Sequence, residues 1–308
     1  MMVRSGFATT RDGIALYWRH AGGGPKPTFV CCNGLGVSTF FFKYIVERFA
    51  GEHGVLVWDY RGHGRSALPP EPMDEADLSI ETCAEDLHEV LEAAGVARPI
   101  VLLGHSMGCQ VLLEYAYRYP GEVAGLVPLF GTAGRPVDTF LNTSLARPAL
   151  GLLRRAARIG GPKANRWLRP LYESPLIAPL AAVVGFVDLE HIADKDLREY
   201  LEHLGHLDPR IFLRMAALAG DHDAGPYLAG MEAPALVVAG GRDSFTPLHL
   251  SERMAKALPH SDLMVLSEAT HAAIVEHPHS INARIAKFVE RDVLPRAAVL
   301  DSARGTAK

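Results

Sequence analysis

The stretch Ile100-Val101-Leu102-Leu103-Gly104-His105-Ser106-Met107-Gly108 predicts a sharp turn from a strand into a helix, with a serine at its apex. The apolar residues 100–103 predict a buried strand, and the apolar spacing after Ser106 predicts a helix from Met107 to Tyr119. Glycines two residues before and two residues after the serine relieve the crowding that such a turn imposes on the backbone. The turn projects the hydroxyl above the edge of the sheet, where a base can reach it. We therefore predict that Ser106 is a nucleophile.

Short apolar runs alternate with helical patterns on both sides of this turn. Two runs joined by Arg11-Asp12-Gly13 predict a hairpin. The hairpin strands are Gly6–Thr10 and Ile14–His20. Beside these and the strand at 100–103, the predicted strands are Thr28–Cys32, Gly54–Trp58, Val123–Phe130, Ala235–Ala239 and Leu263–Leu266. The other predicted helices are Thr39–Ala50, Ile80–Ala94, Pro247–Leu258 and Ser280–Val293, and we expect the tail after Pro295 to be frayed. This alternation predicts an α/β fold with a mostly parallel, eight-stranded sheet and helices on both faces.

The alternation stops between about residues 133 and 228, a segment that we call the insertion. It is largely helical in pattern, contains several prolines and has no convincing strand. Its length exceeds that of an ordinary connection between secondary-structure elements. The sequence therefore predicts a core domain of residues 1–132 and 229–308, with a helical insertion at 133–228.

A serine nucleophile needs a base and an acid that orients the base. Asp243 follows the predicted strand at 235–239, and His271 follows the last predicted strand, so both belong to the same sheet edge as Ser106. The order serine, aspartate, histidine is the one expected on such a sheet. We favour this triad over alternatives at other acidic and imidazole positions, which are Asp221, Asp223, His277 and His279.

The negative charge that develops during acyl transfer needs two backbone N–H donors. Met107 supplies one at the start of the helix after the nucleophile. The glycine-rich turn Asn33-Gly34-Leu35-Gly36 is the natural source of the second, and we assign it to the Leu35 N–H. We predict substrate contacts for Gly34 and His105, which adjoin these groups.

Composition and charge exclude several other classes of protein. The chain has 308 residues, 48% apolar and 21% charged, and a net charge of −4, so it has no basic footprint for nucleic acid. The four cysteines lack the spacing of metal ligands, and we expect them to be reduced thiols. His203 and His206 beside Glu202 lack a third ligand, so we expect no metal. No nucleotide-binding glycine loop follows a strand, so we expect no cofactor.

The remaining features bear on location. The first thirteen residues lack an apolar core, so we expect no secretory signal and a cytoplasmic protein. The apolar run Leu176–Val187 is too short for stable membrane insertion. It fits a helix that lines an acyl pocket, the interpretation we favour, or a lid that touches lipid aggregates.

These motifs resemble the α/β-hydrolase superfamily, in its serine-nucleophile, esterase-like and lipase-like branch, over nearly all of residues 5–295. The turn at 33–36, Asp59–Ser66, Gly104–Gly108, Gly240–Asp243 and His271 stand in the order of that family. The resemblance implies that the insertion forms a helical cap over the triad. It also implies that Arg61 and His63 order loops. Many members have His-Gly where this chain has Asn33-Gly34.

We predict a hydrolase of small to medium, rather apolar carboxylic esters that works through an acyl-enzyme. Related dehalogenases and epoxide hydrolases need a carboxylate where this chain has Ser106. The same triad also serves lactonases, amidases, C–C bond hydrolases and cofactor-free acyltransferases, which remain alternatives. A more distant alternative is a ligand-binding protein without catalytic activity.

Overall fold

The computed structural model describes residues 2–135, 146–160, 170, 174 and 176–305. Its sheet contains β1 (Val3–Thr9), β2 (Ala15–Gly22), β3 (Lys26–Cys32), β4 (His53–Trp58), β5 (Ile100–His105), β6 (Val123–Leu129), β7 (Ala235–Gly240) and β8 (Ser261–Leu266). The spatial order is β1-β2-β4-β3-β5-β6-β7-β8, and the strands are parallel except where β2 pairs with β1 and β4. The predicted mostly parallel, eight-stranded sheet is therefore confirmed.

Helices connect these strands and cover both faces of the sheet. In the core they are Lys43–Phe49, Ile80–Ala93, Gly108–Arg118, Leu248–Ala257, Ala273–Glu276, Pro278–Phe288 and Leu294–Gly305, with a π-helical turn at Val289–Val293. Short 3₁₀ turns occur at Thr39–Phe42, Met73–Glu75, Pro120–Glu122 and Gly225–Gly230.

The central strands are apolar throughout because both of their faces are buried. Along β5, Leu102 points into one hydrophobic cluster, whereas Val101 and Leu103 point into the other. Helices Ile80–Ala93 and Gly108–Arg118 close the first cluster, and Pro278–Phe288 contributes to the second. The triad candidates therefore lie on an edge held by apolar packing on two sides.

The expectation of a frayed tail after Pro295 was wrong. Helix Leu294–Gly305 continues directly from the π-helical turn. Val293 and Ala297 are buried, and Leu300 packs against the same cluster. Val293 lies so close to β6 that a Cβ on Gly125 would come within 2.6 Å of it. The apolar residues recur at intervals of four and three, which places them on one helix face and anchors the tail.

The described part of the insertion is helical, with Ala146–Gly160, Ile177–Val183, Asp194–His206 and Pro209–Asp221. Residues 136–145, 161–169, 171–173 and 175 of the predicted cap lie outside the described residues. The insertion contacts the core through the buried Asp196, which pairs with Lys43 and accepts a hydrogen bond from the Tyr44 hydroxyl at 2.8 Å. No helix in the described ranges is both long enough and apolar enough to cross a bilayer.

Replacing Ala297 with aspartate should lower the free energy of unfolding by about 3 kcal/mol, because it buries an unpaired carboxylate. Chemical denaturation followed by circular dichroism measures this change. The matched control is Ala298→Asp, since Ala298 is the exposed neighbour on the same helix. Equal and small effects of the two substitutions would contradict an anchored tail.

Candidate active site

Ser106 lies at the turn between β5 and helix Gly108–Arg118 with a left-handed backbone, at φ 55°. This conformation is costly for a residue with a Cβ and is found where neighbouring structure enforces it. A Cβ on Gly104 would come within 2.5 Å of the carbonyl carbon of Gly108. A Cβ on Gly108 would come within 2.7 Å of the Asn33 carbonyl oxygen. Both glycines that the sequence singled out are therefore required for the turn.

Gly131 is a third glycine at this turn, and sequence reasoning missed it. A Cβ at this position would lie 2.6 Å from the carbonyl oxygen of Ser106 and would overlap the Cys109 sulfur. Gly131 comes just after β6, the strand next to β5. A glycine at the carboxyl end of a neighbouring strand was the signal that could have identified it.

Ser106, His271 and Asp243 form a continuous chain of hydrogen bonds. The Ser106 hydroxyl donates to His271 Nε2 at 3.0 Å, and His271 Nδ1 donates to Asp243 Oδ2 at 2.8 Å. Both partners are buried, whereas Ser106 is partly exposed. The geometry is that of a nucleophile, a general base and an orienting acid.

The Asp243 carboxylate is fully desolvated but well supplied with donors. Oδ1 accepts from the backbone N–H groups of Phe245 and Thr246 at 2.8 and 2.9 Å, and the Thr246 hydroxyl donates to Oδ2 at 2.7 Å. Burial alone would raise the pKa of Asp243, but the charge on His271 and these hydrogen bonds outweigh it and hold the pKa below its usual value. Asp243 therefore stays ionised beside the imidazole.

The alternative residues lie in other contacts. Asp223 accepts a hydrogen bond from the Gly225 N–H, and Asp221 is in the insertion at the end of helix Pro209–Asp221. His277 packs against His191, and His279 is exposed at the start of helix Pro278–Phe288.

The two predicted oxyanion donors lie on either side of the nucleophile. Met107 directly follows Ser106, and a Cβ on Gly34 would come within 3.2 Å of the Ser106 Cβ, so the turn that carries Leu35 lies against the serine. Among the described residues, no acceptor pairs with the N–H of Leu35 or Met107. Both donors remain available for a developing oxyanion.

The structure contradicts the predicted substrate contact of His105. Its side chain is buried beneath the turn, and Nε2 donates to the carbonyl oxygen of His271 at 2.9 Å. Burial, together with the neighbouring His271, lowers the pKa of His105 to about 3. His105 therefore supports the His271 loop from below as a neutral imidazole. The adjacent Gly34 has no room for a Cβ, which would lie 2.7 Å from His105 Nδ1.

Arg61 ties its own loop to neighbouring elements, which is consistent with the loop-ordering role that the resemblance implied. Its guanidinium forms a bidentate pair with the buried Asp86, with both N–O distances at 2.7 Å, and also binds Asp12. No group of three potential metal ligands comes together within the part of the chain that the structure describes. His206 instead bonds to the Glu202 carbonyl of its own helix.

A family model described as the alpha/beta hydrolase fold matches residues 27–278. The chain belongs to the α/β-hydrolase family. It is 29% identical over 288 residues to a Caulobacter segnis protein assigned as the carbamate hydrolase RutD, covering 91% of this chain and 98% of that protein. It is 28% identical over 261 residues to the pimeloyl-acyl-carrier-protein methyl ester esterase of Neisseria meningitidis, covering 84% and 75%. The enol-lactonase structure from Burkholderia xenovorans LB400 shares the fold, with a TM-score of 0.76, 20% identity and coverage of 93% and 100%.

The insertion of this α/β-hydrolase is bonded to the loop that carries His271. The carbonyls of Gly185 and Phe186 accept hydrogen bonds from the N–H groups of His271 and Ala272, at 3.3 and 3.0 Å. The Phe186 ring packs 5.7 Å from the His271 ring, centroid to centroid. The insertion thus contributes directly to the position of the imidazole.

Two further contacts fasten the same segment to the catalytic loops of the hydrolase. The Ser244 hydroxyl, next to Asp243, donates to the Val184 carbonyl. The buried Glu276 accepts hydrogen bonds from the Thr270 hydroxyl at 2.8 Å and from the Asp188 N–H at 2.6 Å. Burial raises the pKa of Glu276. Residues 184–188 therefore bridge the loops of both partners of Ser106.

Replacing Gly131 with alanine should lower kcat/KM at least roughly ten-fold, because the new Cβ displaces the Ser106 carbonyl and the nucleophile with it. We expect a loss of about 2 kcal/mol in unfolding free energy from the same overlap. Steady-state kinetics and denaturation measure the two effects. Gly121→Ala is the control, since a Cβ there meets nothing within 4 Å. Full activity of Gly131→Ala would show that the turn does not need this glycine.

Burial of neutral His105 should make the hydrolase less stable as the pH falls below about 6.5, where the unfolded chain takes up a proton that the folded chain refuses. The amide of the His105→Gln variant can still donate to His271. In this variant, the slope of unfolding free energy against pH should be smaller by about 1.4 kcal/mol per pH unit between pH 4 and 6. Urea denaturation across this range measures the slope. The exposed His279 serves as the control in His279→Gln. An unchanged slope in the His105 variant would mean that His105 titrates normally.

Proposed function

We propose that this hydrolase cleaves carboxylic esters through an acyl-enzyme formed on Ser106. The observation that carries the proposal is the hydrogen-bonded chain from Asp243 through His271 to Ser106, next to two available backbone donors. Hydrolases that use water without a covalent step have no need of a serine held in this way.

In the proposed acylation, the Ser106 oxygen attacks the ester carbonyl carbon while His271 Nε2 takes the hydroxyl proton. The carbonyl oxygen becomes an oxyanion, which the N–H groups of Leu35 and Met107 stabilise. The carbonyl re-forms as the bond to the alcohol oxygen breaks, and His271 gives its proton to the departing alcohol.

Deacylation repeats these steps with water in place of serine. His271 takes a proton from water, the resulting oxygen attacks the acyl carbon, and the Ser106 oxygen leaves with the proton that His271 returns. The products are the carboxylic acid and the regenerated serine. Asp243 keeps the imidazole in the required tautomer and stabilises its cation in both halves of the reaction.

The surroundings of His271 favour an apolar substrate of small to medium size. Phe245 stacks on the imidazole at a centroid distance of 5.2 Å, and Phe186 packs against it from the insertion. Two relatives at 28–29% identity are named for a methyl ester and a carbamate, both acyl groups that carry a heteroatom leaving group. The four cysteines are buried and unpaired, which supports a reducing compartment such as the cytoplasm.

Wild-type protein should hydrolyse p-nitrophenyl esters in a series from acetate to palmitate, with an optimum at a short or medium chain. Ser106→Ala should reduce turnover by at least roughly a thousand-fold, because the covalent step is lost. The control is Ser5→Ala on the exposed side of β1. Release of p-nitrophenol measures the rates.

Other outcomes redirect the proposal. Turnover of a lactone, an amide, a carbamate or a β-diketone, with no turnover of any open-chain ester, would overturn the assignment of simple esters as substrates and keep the triad. A fluorophosphonate probe that fails to label Ser106 in folded protein would favour a ligand-binding protein without catalysis.

A further inference from the structure

Helix Ala146–Gly160 of the insertion differs in composition from the rest of the chain. It is built from apolar residues, glycine, one proline and four arginines, at positions 147, 154, 155 and 158, and it has no acidic residue. The whole chain carries a net charge of −4, so the positive charge of this helix is a local feature.

The helix turns only a narrow face toward the protein. Ala157 is buried, and Leu150 and Arg154 are half-buried on the same side. The positions 150, 154 and 157 recur at intervals of four and three, as expected for one face of a helix. Packing of this face against the protein explains the small side chain at 157. It does not explain the larger aliphatic residues elsewhere on the helix.

The opposite face presents large aliphatic side chains to water. Leu152 and Ile159 are 70% and 80% exposed, and Leu153 is 55% exposed. Leu152, Ala156 and Ile159 again recur at intervals of four and three, so they form a continuous stripe. Arg155 is exposed beside this stripe. Large apolar side chains grouped in this way mark an interaction surface.

We propose that this exposed face of helix 146–160 docks on the surface of an anionic lipid bilayer. A helix that combines an apolar stripe with an exposed arginine beside it, and that carries no acidic residue, lies in the plane of the bilayer boundary. Leu152 and Ile159 enter the region between headgroups and acyl chains, while Arg155 stays at the level of the lipid phosphates. The helix lies on the membrane and does not cross it.

Two other occupants fit the surface less well. A second copy of this chain would bring together two helices that each carry four arginines and no acidic residue, and like charges repel. An acidic protein would match the arginines, but it gives no reason for bulky aliphatic residues along the rest of the face. A bilayer with anionic headgroups matches both halves of the surface at once.

Co-sedimentation with vesicles tests the proposal on the full chain. Wild-type protein should bind vesicles of phosphatidylglycerol and phosphatidylcholine, bind phosphatidylcholine vesicles more weakly, and dissociate progressively as salt is raised. Arg155→Gln should weaken binding to the anionic vesicles roughly five-fold. Leu152→Ser combined with Ile159→Ser should weaken it at least roughly ten-fold.

Matched controls are available elsewhere on the surface. Arg253 and Val299 are also exposed, so Arg253→Gln and Val299→Ser remove the same groups outside the helix and should leave binding unchanged. Circular dichroism and the melting temperature establish that each variant is folded. Ser106→Ala should bind as wild type does, because lipid docking does not depend on the proposed ester chemistry.

Three results would overturn the proposal. The first is absence of binding to anionic vesicles at low salt. The second is binding that falls with Arg155→Gln but not with the serine substitutions, which is the behaviour of a purely electrostatic contact, as with an acidic protein. The third is a dimer that dissociates in the Leu152→Ser and Ile159→Ser variant, measured by analytical ultracentrifugation, since a second copy would then occupy the face.

Discussion

The left-handed backbone of Ser106 is the constraint on which the rest of the site depends. It costs about 1–2 kcal/mol relative to an ordinary conformation, and the surrounding structure must supply that energy. The Ser106 N–H donates to the Leu129 carbonyl of β6 at 3.0 Å, which ties the turn to the neighbouring strand. Gly104, Gly108 and Gly131 remove the three Cβ atoms that would otherwise block the approach of strand, helix and loop. The turn can therefore hold the serine hydroxyl in its exposed position only if β3, β5 and β6 pack closely around it.

The partners of Ser106 depend on a different support. Asp243 and His271 lie in loops beyond β7 and β8, where no continuous backbone ladder holds them. Their positions rest on hydrogen bonds: the donors around the Asp243 carboxylate, the bond from His105 below, and the carbonyls of residues 184–188 above. Because residues 184–188 belong to the insertion, a displacement of this segment would break bonds that position the loops of His271 and Asp243. The insertion and the three residues of the hydrogen-bonded chain are thus coupled through these few bonds.

Sequence reasoning identified the elements whose signal is local. The apolar runs of the central strands and the glycines around Ser106 depend on neighbours in the chain, and they predicted both the sheet and the turn. The predicted substrate contact of His105 was wrong because the direction of its side chain depends on the loop after β8, which is far away in sequence. The prediction of a frayed tail was wrong for the same reason. Val293 and Ala297 give no sign of burial in the local sequence, and their role appears only when β6 is placed against them. Gly131 was missed because its role is to leave space beside Ser106, and that role shows only once β6 is placed next to β5.

The residues of the proposed mechanism all come from the core, and their roles are generic to acyl transfer. The nucleophile, base, acid and both backbone donors would serve an ester, a carbamate or a lactone equally well, because each passes through the same kind of oxyanion. In the proposed mechanism, selection among substrates then falls to side chains that do not react, among them those around the imidazole. Phe245 belongs to the core loop that carries Asp243. Phe186 comes from the insertion, and its carbonyl accepts a hydrogen bond from the N–H of Ala272, in the loop that carries His271. In the proposed mechanism, a change at position 186 would alter the surroundings of the imidazole without touching a reacting atom.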